Sequence, residues 1–287
     1  MLERVLILGS TGLIGHQIYN YLRDFSNYEL LNIAYRKKLM KDTILLDARN
    51  ENDFIEKIKD LKPQYIINCI GLLISASNKD IKSAIFLNAY MPHRLKALAD
   101  EIDAKLIHIS TDCVFSGYKK KPYTENDFKD GKDIYAKTKG LGEIICEKHL
   151  TLRTSVVGPE LKSDGEELFH WFMNQEDKIN GFTKSIWSGV TTFELAKAVK
   201  YSIEENITGL YHVTNNTSIN KYELLKLFKK YTNKPIDIKK VDGNDIDKSF
   251  IDTRQLIKYE IPSYEKMISN MIRIVSENKK LYSQYDV

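Results

Sequence analysis

Apolar residues in the first half of the chain come in short, nearly unbroken runs: VLILG (5–9), ELLNIAY (29–35), TILLD (43–47), YIINCI (65–70), KLIHIS (105–110) and LTLR (150–153). Runs that do not alternate with polar residues fit strands covered on both faces. Between them, apolar positions recur at helical spacing in GHQIYNYLRDF (15–25), NENDFIEKIKDL (50–61), NAYMPHRLKALADEI (88–102) and IYAKTKGLGEIICEKH (134–149). Strand and helix alternating this often predict an α/β fold, a Rossmann-type doubly wound parallel sheet. After Arg153 the alternation loosens, with helices predicted over 166–175, 192–205 and 220–231 and strands in GLYHVT (209–214) and PIDIKKV (235–241). The pattern divides the chain into a dinucleotide-binding part, residues 1–155, and a smaller lobe, residues 156–287, with some segments of the second returning to the first. Such a lobe covers the carboxyl ends of the strands, where ligands of these sheets sit.

Composition narrows the classes. A length of 287 residues suits one large or two modest domains, and the net charge of +4 is spread along the chain, which gives no nucleic-acid footprint. No apolar run approaches a membrane span and no secretory leader precedes the first strand, so a cytoplasmic protein without membrane contact is expected. Cys69, Cys113 and Cys146 are too scattered for a disulfide framework or a zinc site. The six histidines lack ligand spacing, so no metal is expected.

Candidate chemistry begins at GSTGLIG, where the first strand runs into the first helix. Gly9 permits a tight turn, Gly12 lets the backbone approach a pyrophosphate, and Gly15 lets the helix pack closely on the strand. At the end of the second strand, where an acid would read a ribose 2′-hydroxyl, the chain has Ala34-Tyr35-Arg36-Lys37-Lys38. Arg36 suits a 2′-phosphate, which favours NADP(H) and leaves NAD(H) possible; the bland reading of 36–38 is a solvated loop. Asp47 closes the third strand, in reach of an adenine amino group, and Asn50 nearby reads equally well as a helix cap.

The strongest signal is Tyr135-Ala-Lys-Thr-Lys139, which puts a phenol and an ammonium on one helical face. The ammonium is expected to lower the phenol's pKa toward working pH and to reach a cofactor ribose. Such a phenol can protonate the alkoxide left when a hydride reaches a carbonyl. Thr111, in Ser110-Thr111-Asp112 at the end of the fifth run, lies 24 residues before Tyr135, and a hydroxyl there can hold the same oxygen.

GSTGLIG, Asn88 in LNAYMPHRLKALA, HISTDCVFSG, YAKTKGLGE and LRTSVVG, in that order, resemble an extended short-chain dehydrogenase/reductase of the dTDP-4-dehydrorhamnose reductase branch. The resemblance implies Thr111 as catalytic hydroxyl, Tyr135 as proton donor and Lys139 as its electrostatic partner and ribose ligand. It puts Gly9, Thr11, Gly12, Leu13, Ile14, Gly15, Arg36, Asp47, Ala48, Cys69, Gly71 and Asn88 around the cofactor. Asp112, Cys113, Arg153, Thr154 and Ser155 fall toward the substrate, with Lys184, Trp187 and the turn 188–191 toward its nucleotide half. The activity implied is NADPH-dependent reduction of a nucleotide-linked 4-keto-6-deoxy sugar in surface polysaccharide or deoxysugar biosynthesis, by a possible homodimer. An epimerase or dehydratase with tightly bound NAD, or a non-catalytic NADP-binding regulatory subunit, are the alternatives. Two departures bear on the sugar: Ser188-Gly189-Val190-Thr191-Thr192 lacks the branch's proline, and Gly71-Leu-Leu-Ile-Ser75 lacks its small-residue pair. Among weaker features, His108 reads as a packed core residue, Trp187 as either pocket wall or packing, and Lys119-Lys-Lys121 as a solvated loop tip.

Overall fold

The computed structural model describes residues 2–255 and 258–287. Strands β1 (Arg4–Leu8), β2 (Glu29–Ala34), β3 (Ile44–Leu45), β4 (Tyr65–Asn68), β5 (Lys105–Thr111) and β6 (Leu150–Thr154) arise from the six apolar runs. The second half of the chain adds β7 (Val156–Val157), β8 (Lys178–Phe182), β9 (Ser185–Trp187), β10 (Val190–Thr191), β11 (Gly209–His212), β12 (Ile219–Asn220), β13 (Asp237–Val241) and β14 (Ile246–Asp247), of which β11 joins the main sheet. The main sheet is seven-stranded and parallel, in the order β11-β6-β5-β4-β1-β2-β3. Strand order reverses at β1, which lies between β2 and β4, and this opens a crevice at their carboxyl ends. Val5 and Ile7 of β1 join one apolar core and Leu6 and Leu8 the other, so side-chain alternation feeds both faces. Every residue of β5 and β6 is buried.

Helices α1 (Gly15–Phe25), α2 (Glu51–Leu61), α3 (Ile74–Lys79), α4 (Ile81–Ala84), α5 (Met91–Glu101) and α6 (Ile134–Leu141) flank the sheet. The later helices are α7 (Leu168–Met173), α8 (Thr192–Glu204), α9 (Lys221–Thr232) and α10 (Tyr264–Glu277). The helix expected over 134–149 ends at Leu141. At Gly142 the backbone passes so close to the Asn88 carbonyl that a Cβ would lie 2.0 Å from its oxygen. Beyond it the chain turns Glu143 inward to Arg153 and pins Ile144 to the Thr151 hydroxyl, a bonding pattern that a continuing helix would forbid. The helix expected from 88 starts earlier, as a π-helical turn over Ile85–Tyr90 that carries Asn88. Only Ile44 and Leu45 of the run 43–47 pair with β2.

In the second lobe β9 lies between β12 and β14, while β7 pairs with β10 and β8 with β13. After α10 the chain runs back to the glycine-rich turn. There the Tyr282 hydroxyl meets His16 Nε2 at 3.0 Å, and His16 Nδ1 is 2.8 Å from the Gly12 carbonyl. No helix among the described residues is long and apolar enough to cross a membrane, and no cluster among them has the ligands for a metal ion.

Candidate active site

The glycine turn is close-packed at each of its glycines. Gly9 sits at φ +79° against the end of β4, where a Cβ would be 3.2 Å from the Cys69 carbonyl group. Gly15 abuts the turn itself, since its Cβ would fall 2.2 Å from the Gly9 oxygen, rather than the strand as expected. At Gly12 the backbone conformation makes no demand, but an added Cβ would lie 3.3 Å from the Gly9 oxygen, so the turn is also close-packed here, at the start of α1. That start has no side-chain cap, with Thr11, Leu13 and Ile14 partly exposed around it; the amides of Gly12 and His16 are taken by Gly9 O and Gly12 O, and the dipole with the remaining first-turn amides can face a phosphate. The turn therefore fits the pyrophosphate of a dinucleotide.

The adenosine end lies beyond β2 and β3. Two guanidiniums lie close to the Tyr35 ring, with Arg36 Cζ 4.9 Å and Arg49 Cζ 5.2 Å from its centre. Arg49 also donates to the Tyr35 hydroxyl at 2.7 Å and to Asp47 at 2.8 Å. Hydrogen bonds from Arg49 hold the Asp47 carboxyl below its ordinary pKa. The expected adenine-reading acid is thus already engaged by a neighbour, and Arg49 is a second cation that sequence reasoning overlooked. Ala48 is buried in the core, and Asn50 begins α2 without a side-chain cap bond. Charge and donor type at this end suit a 2′-phosphate.

Thr111 ends β5, and Tyr135 and Lys139 lie on α6, which packs against β5. The Thr111 hydroxyl is in hydrogen-bonding reach of the Tyr135 phenol and accepts from Cys113 N at 3.1 Å. Burial pushes the phenol's pKa up, with Cys113, Asp112 and Asp133 adding to it against the Thr111 bond. The expected lowering by Lys139 is therefore corrected: burial sets the phenol's pKa, the ammonium is not among the groups that shift it, and the phenol holds its proton firmly. Lys139 is buried, donates to the Ile109 carbonyl at 2.7 Å and is pushed down to about 8 by burial. Ser110, the neighbouring hydroxyl, points away and donates to Glu143 at 2.7 Å. Asn88 is fully buried and clamps the loop after β4 to α6, through Leu72 N at 2.8 Å, Leu72 O at 3.0 Å and Thr138 at 3.2 Å. Gly71 lies beside it, where a Cβ would be 3.2 Å from Asn88 Oδ1. Burial raises the Cys69 thiol to about 12.

On the substrate side, Ser155 accepts from the buried Trp187 indole at 2.8 Å and lies near enough to Asp112 to favour its charged form. Burial raises Asp112 against the pull of Lys248, Ser155, Lys221 and Thr111. These two lysines come from the second lobe and were not anticipated. Lys221 Nζ lies 5.4 Å from the Trp187 ring, and burial lowers its pKa. Lys248 bonds to Cys113; burial opposes its charge, but Cys113, Asp112 and Asp133 leave it raised. Nothing local marks either lysine in the sequence; only the pairing of β12 and β14 with β9 brings them here. Lys184 instead faces solvent in a pair with Asp242 at 2.8 Å. Arg153 is 1 % exposed and committed within the fold to Glu143 and His212, and the Thr154 hydroxyl donates to the Val213 carbonyl. His108 is buried, as expected, but among polar groups: Asn68 and Lys139 flank its ring.

Residues 3–249 match the family described as RmlD substrate binding domain. The spore coat polysaccharide biosynthesis protein SpsK of Bacillus subtilis is 28 % identical over 227 residues, 77 % of each chain. A dTDP-4-dehydrorhamnose reductase of Aggregatibacter actinomycetemcomitans is 26 % identical over 77 % of this chain and 76 % of its own. Methionine adenosyltransferase 2 subunit beta of Rattus norvegicus is 30 % identical over 77 % of this chain and 70 % of its own. Among solved structures, a dTDP-4-dehydrorhamnose reductase from Bacillus anthracis in complex with NADP superposes with a TM-score of 0.82 at 23 % identity, covering 96 % of this chain and all of that one.

Proposed function

Because the chain belongs to the RmlD substrate binding domain family, we propose that it is an NADPH-dependent reductase of a nucleotide-linked 4-keto-6-deoxy sugar, serving surface polysaccharide or deoxysugar biosynthesis in the cytoplasm. The observation that supports this reading is that α6, which carries Tyr135 and Lys139, packs against β5, which ends on Thr111 in the same parallel sheet that holds the glycine turn. NADPH, when bound, supplies the hydride. The chain's own groups do the rest. Thr111 orients the carbonyl oxygen as negative charge develops on it. Tyr135, kept protonated by its buried setting, gives its proton to that oxygen. Lys139, one helical turn away, neutralises the phenolate that remains.

Residues 1–155 hold the cofactor in this reading, and the lobe from 156 onward holds the sugar nucleotide. Trp187 walls the sugar pocket, and the ammonium groups of Lys221 and Lys248 take the diphosphate in place of Lys184. We assign homodimerisation to the exposed apolar residues Ile81, Ile85, Leu141 and Ile145 on the packed α4–α6 side, which light scattering with Ile85→Glu tests.

The deciding experiment follows NADPH absorbance with a panel of dTDP- and UDP-linked 4-keto sugars, with the free sugars as controls. Oxidation with a nucleotide-linked sugar alone is expected. Tyr135→Phe then lowers turnover by roughly 10²- to 10⁴-fold with NADP affinity kept within a few-fold. NADP binding without oxidation on any sugar overturns the reductase reading and favours a non-catalytic subunit; one relative is itself named as a subunit, the beta subunit of methionine adenosyltransferase 2.

A further inference from the structure

Behind the site, β4 and β5 pair Asn68 with His108 across the sheet, and Lys139 of α6 closes on the same ring. All three side chains are buried, so their partners must come from one another and from the backbone around them. The Asn68 amide is oriented by the backbone: its Oδ1 accepts from Ile70 N at 3.1 Å. That leaves Nδ2, which can only donate, facing His108 Nδ1 at 3.1 Å. Nδ1 must then be the accepting nitrogen, and a neutral imidazole has its single proton on the other. The other nitrogen, Nε2, faces Lys139 Nζ at 3.4 Å. An ammonium has three donors and no acceptor, so a protonated Lys139 meets an N–H head-on, while the neutral amine accepts it.

We infer that Asn68 and His108 are positioning residues for the reaction: Asn68 holds His108 with its proton on Nε2, and this N–H disfavours the charged form of Lys139, so that the lysine can release and regain a proton in each turnover. The inference rests on the reading of Lys139 as partner of Tyr135. In the balanced sequence, Tyr135 passes its proton to the alkoxide and becomes a phenolate. Lys139 passes a proton to the phenolate and becomes an amine, which His108 Nε2–H then supports. A proton from water restores the ammonium.

The surroundings agree. Burial, then Lys139 and His93 of α5, hold His108 well below its ordinary pKa, so the ring stays neutral. Lys139 is lowered to about 8 by burial although Glu143, beyond α6, and Cys69, at the end of β4, both favour its charge.

Nitrogen-15 NMR of histidine-labelled full-length protein reads the tautomer, and carbon-13 NMR of the lysine Cε carbons reads the titration of Lys139, identified by its loss in Lys139→Met. The expected wild type has His108 protonated on Nε2 and Lys139 titrating near pH 8. In Asn68→Asp the carboxylate accepts from Nδ1, the ring presents a lone pair to Lys139, and its titration moves up by about one pH unit or more. Wild-type His108 protonated on Nδ1 overturns the inference, and so does an Asn68→Asp protein whose tautomer or Lys139 titration is unchanged. If that variant does not fold, the wild-type tautomer decides alone. Full turnover in Lys139→Met sinks the catalytic reading instead and leaves the tautomer result standing.

Discussion

Replacing Glu143 by Gln removes the carboxylate against which Arg153 is buried. The Glu143 side chain is 0 % exposed and that of Arg153 1 %, and two bonds of 2.7 Å join them. Gln keeps the shape and can still accept from Ser110, but its amide nitrogen then faces a guanidinium donor and the cation is left without a counter-charge. Breaking such a pair costs about 3–5 kcal/mol, whereas Lys129, partly exposed at 3.1 Å from Glu143, accounts for at most about 1 kcal/mol. Urea denaturation followed by the fluorescence of Trp171 and Trp187 measures the loss. Removing both charges in Glu143→Leu with Arg153→Met should cost less than Glu143→Gln alone. The loss also has a pH signature. Burial opposes ionisation of Glu143, but Arg153, Lys129 and Ser110 more than offset it, leaving its pKa below the ordinary value. A depressed carboxylate stabilises the fold fully above its unfolded pKa of about 4.3, and that stabilisation fades as pH falls through the folded value. The gap between wild type and Glu143→Gln should therefore be constant near neutrality and shrink below about pH 4. A loss under about 1 kcal/mol at pH 7, or a gap that widens in acid, would refute the reasoning.

Gly15→Ala forces a methyl group to 2.2 Å from the Gly9 oxygen, so the turn must open; calorimetry should show NADP affinity falling at least about tenfold, with about 1–3 kcal/mol of stability lost. Arg36→Ala and Arg49→Ala should each reduce the preference for NADPH over NADH by roughly tenfold to a hundredfold, the value of one charge-assisted contact, as titration of both cofactors would reveal. Tyr282→Phe strands the buried His16 Nε2 and should cost about 1–3 kcal/mol in urea denaturation.

The parts legible in the sequence are those set by local pattern. Strands β1, β4, β5 and β6 announce themselves because both of their faces are covered, and the glycine turn and the Tyr135–Lys139 pair are fixed by spacing within one turn or one helix. What was missed depends on partners far along the chain. The end of α6 is set by Arg153, which draws Glu143 inward; the pair Gly140 and Gly142 inside the helical run was the available warning. Lys221 and Lys248 enter the site through strands of two residues each, too short to show a period. The pKa of Tyr135 was misjudged because spacing reveals the lysine but not the desolvation. Arg49 stood two residues from Asp47 in plain view, but a turn that brings its guanidinium back onto that carboxylate leaves no sequence mark.

The position of β11 makes the two halves of the chain inseparable. Gly209–His212 lies beside β6 at the end of the main sheet, and it comes from the half that otherwise builds the small sheets. A fragment stopping near residue 155 would turn β6, buried along its whole length, into a bare edge, with its amides and carbonyls unpaired and its apolar side chains wet. Arg153 would lose His212 as well. A bare edge is a template for pairing with another copy of itself, so the first half cut free would be prone to aggregate. What keeps the sheet solitary is thus a strand supplied by the opposite half, and any attempt to exchange substrate lobes between relatives has to carry that strand along or provide another in its place.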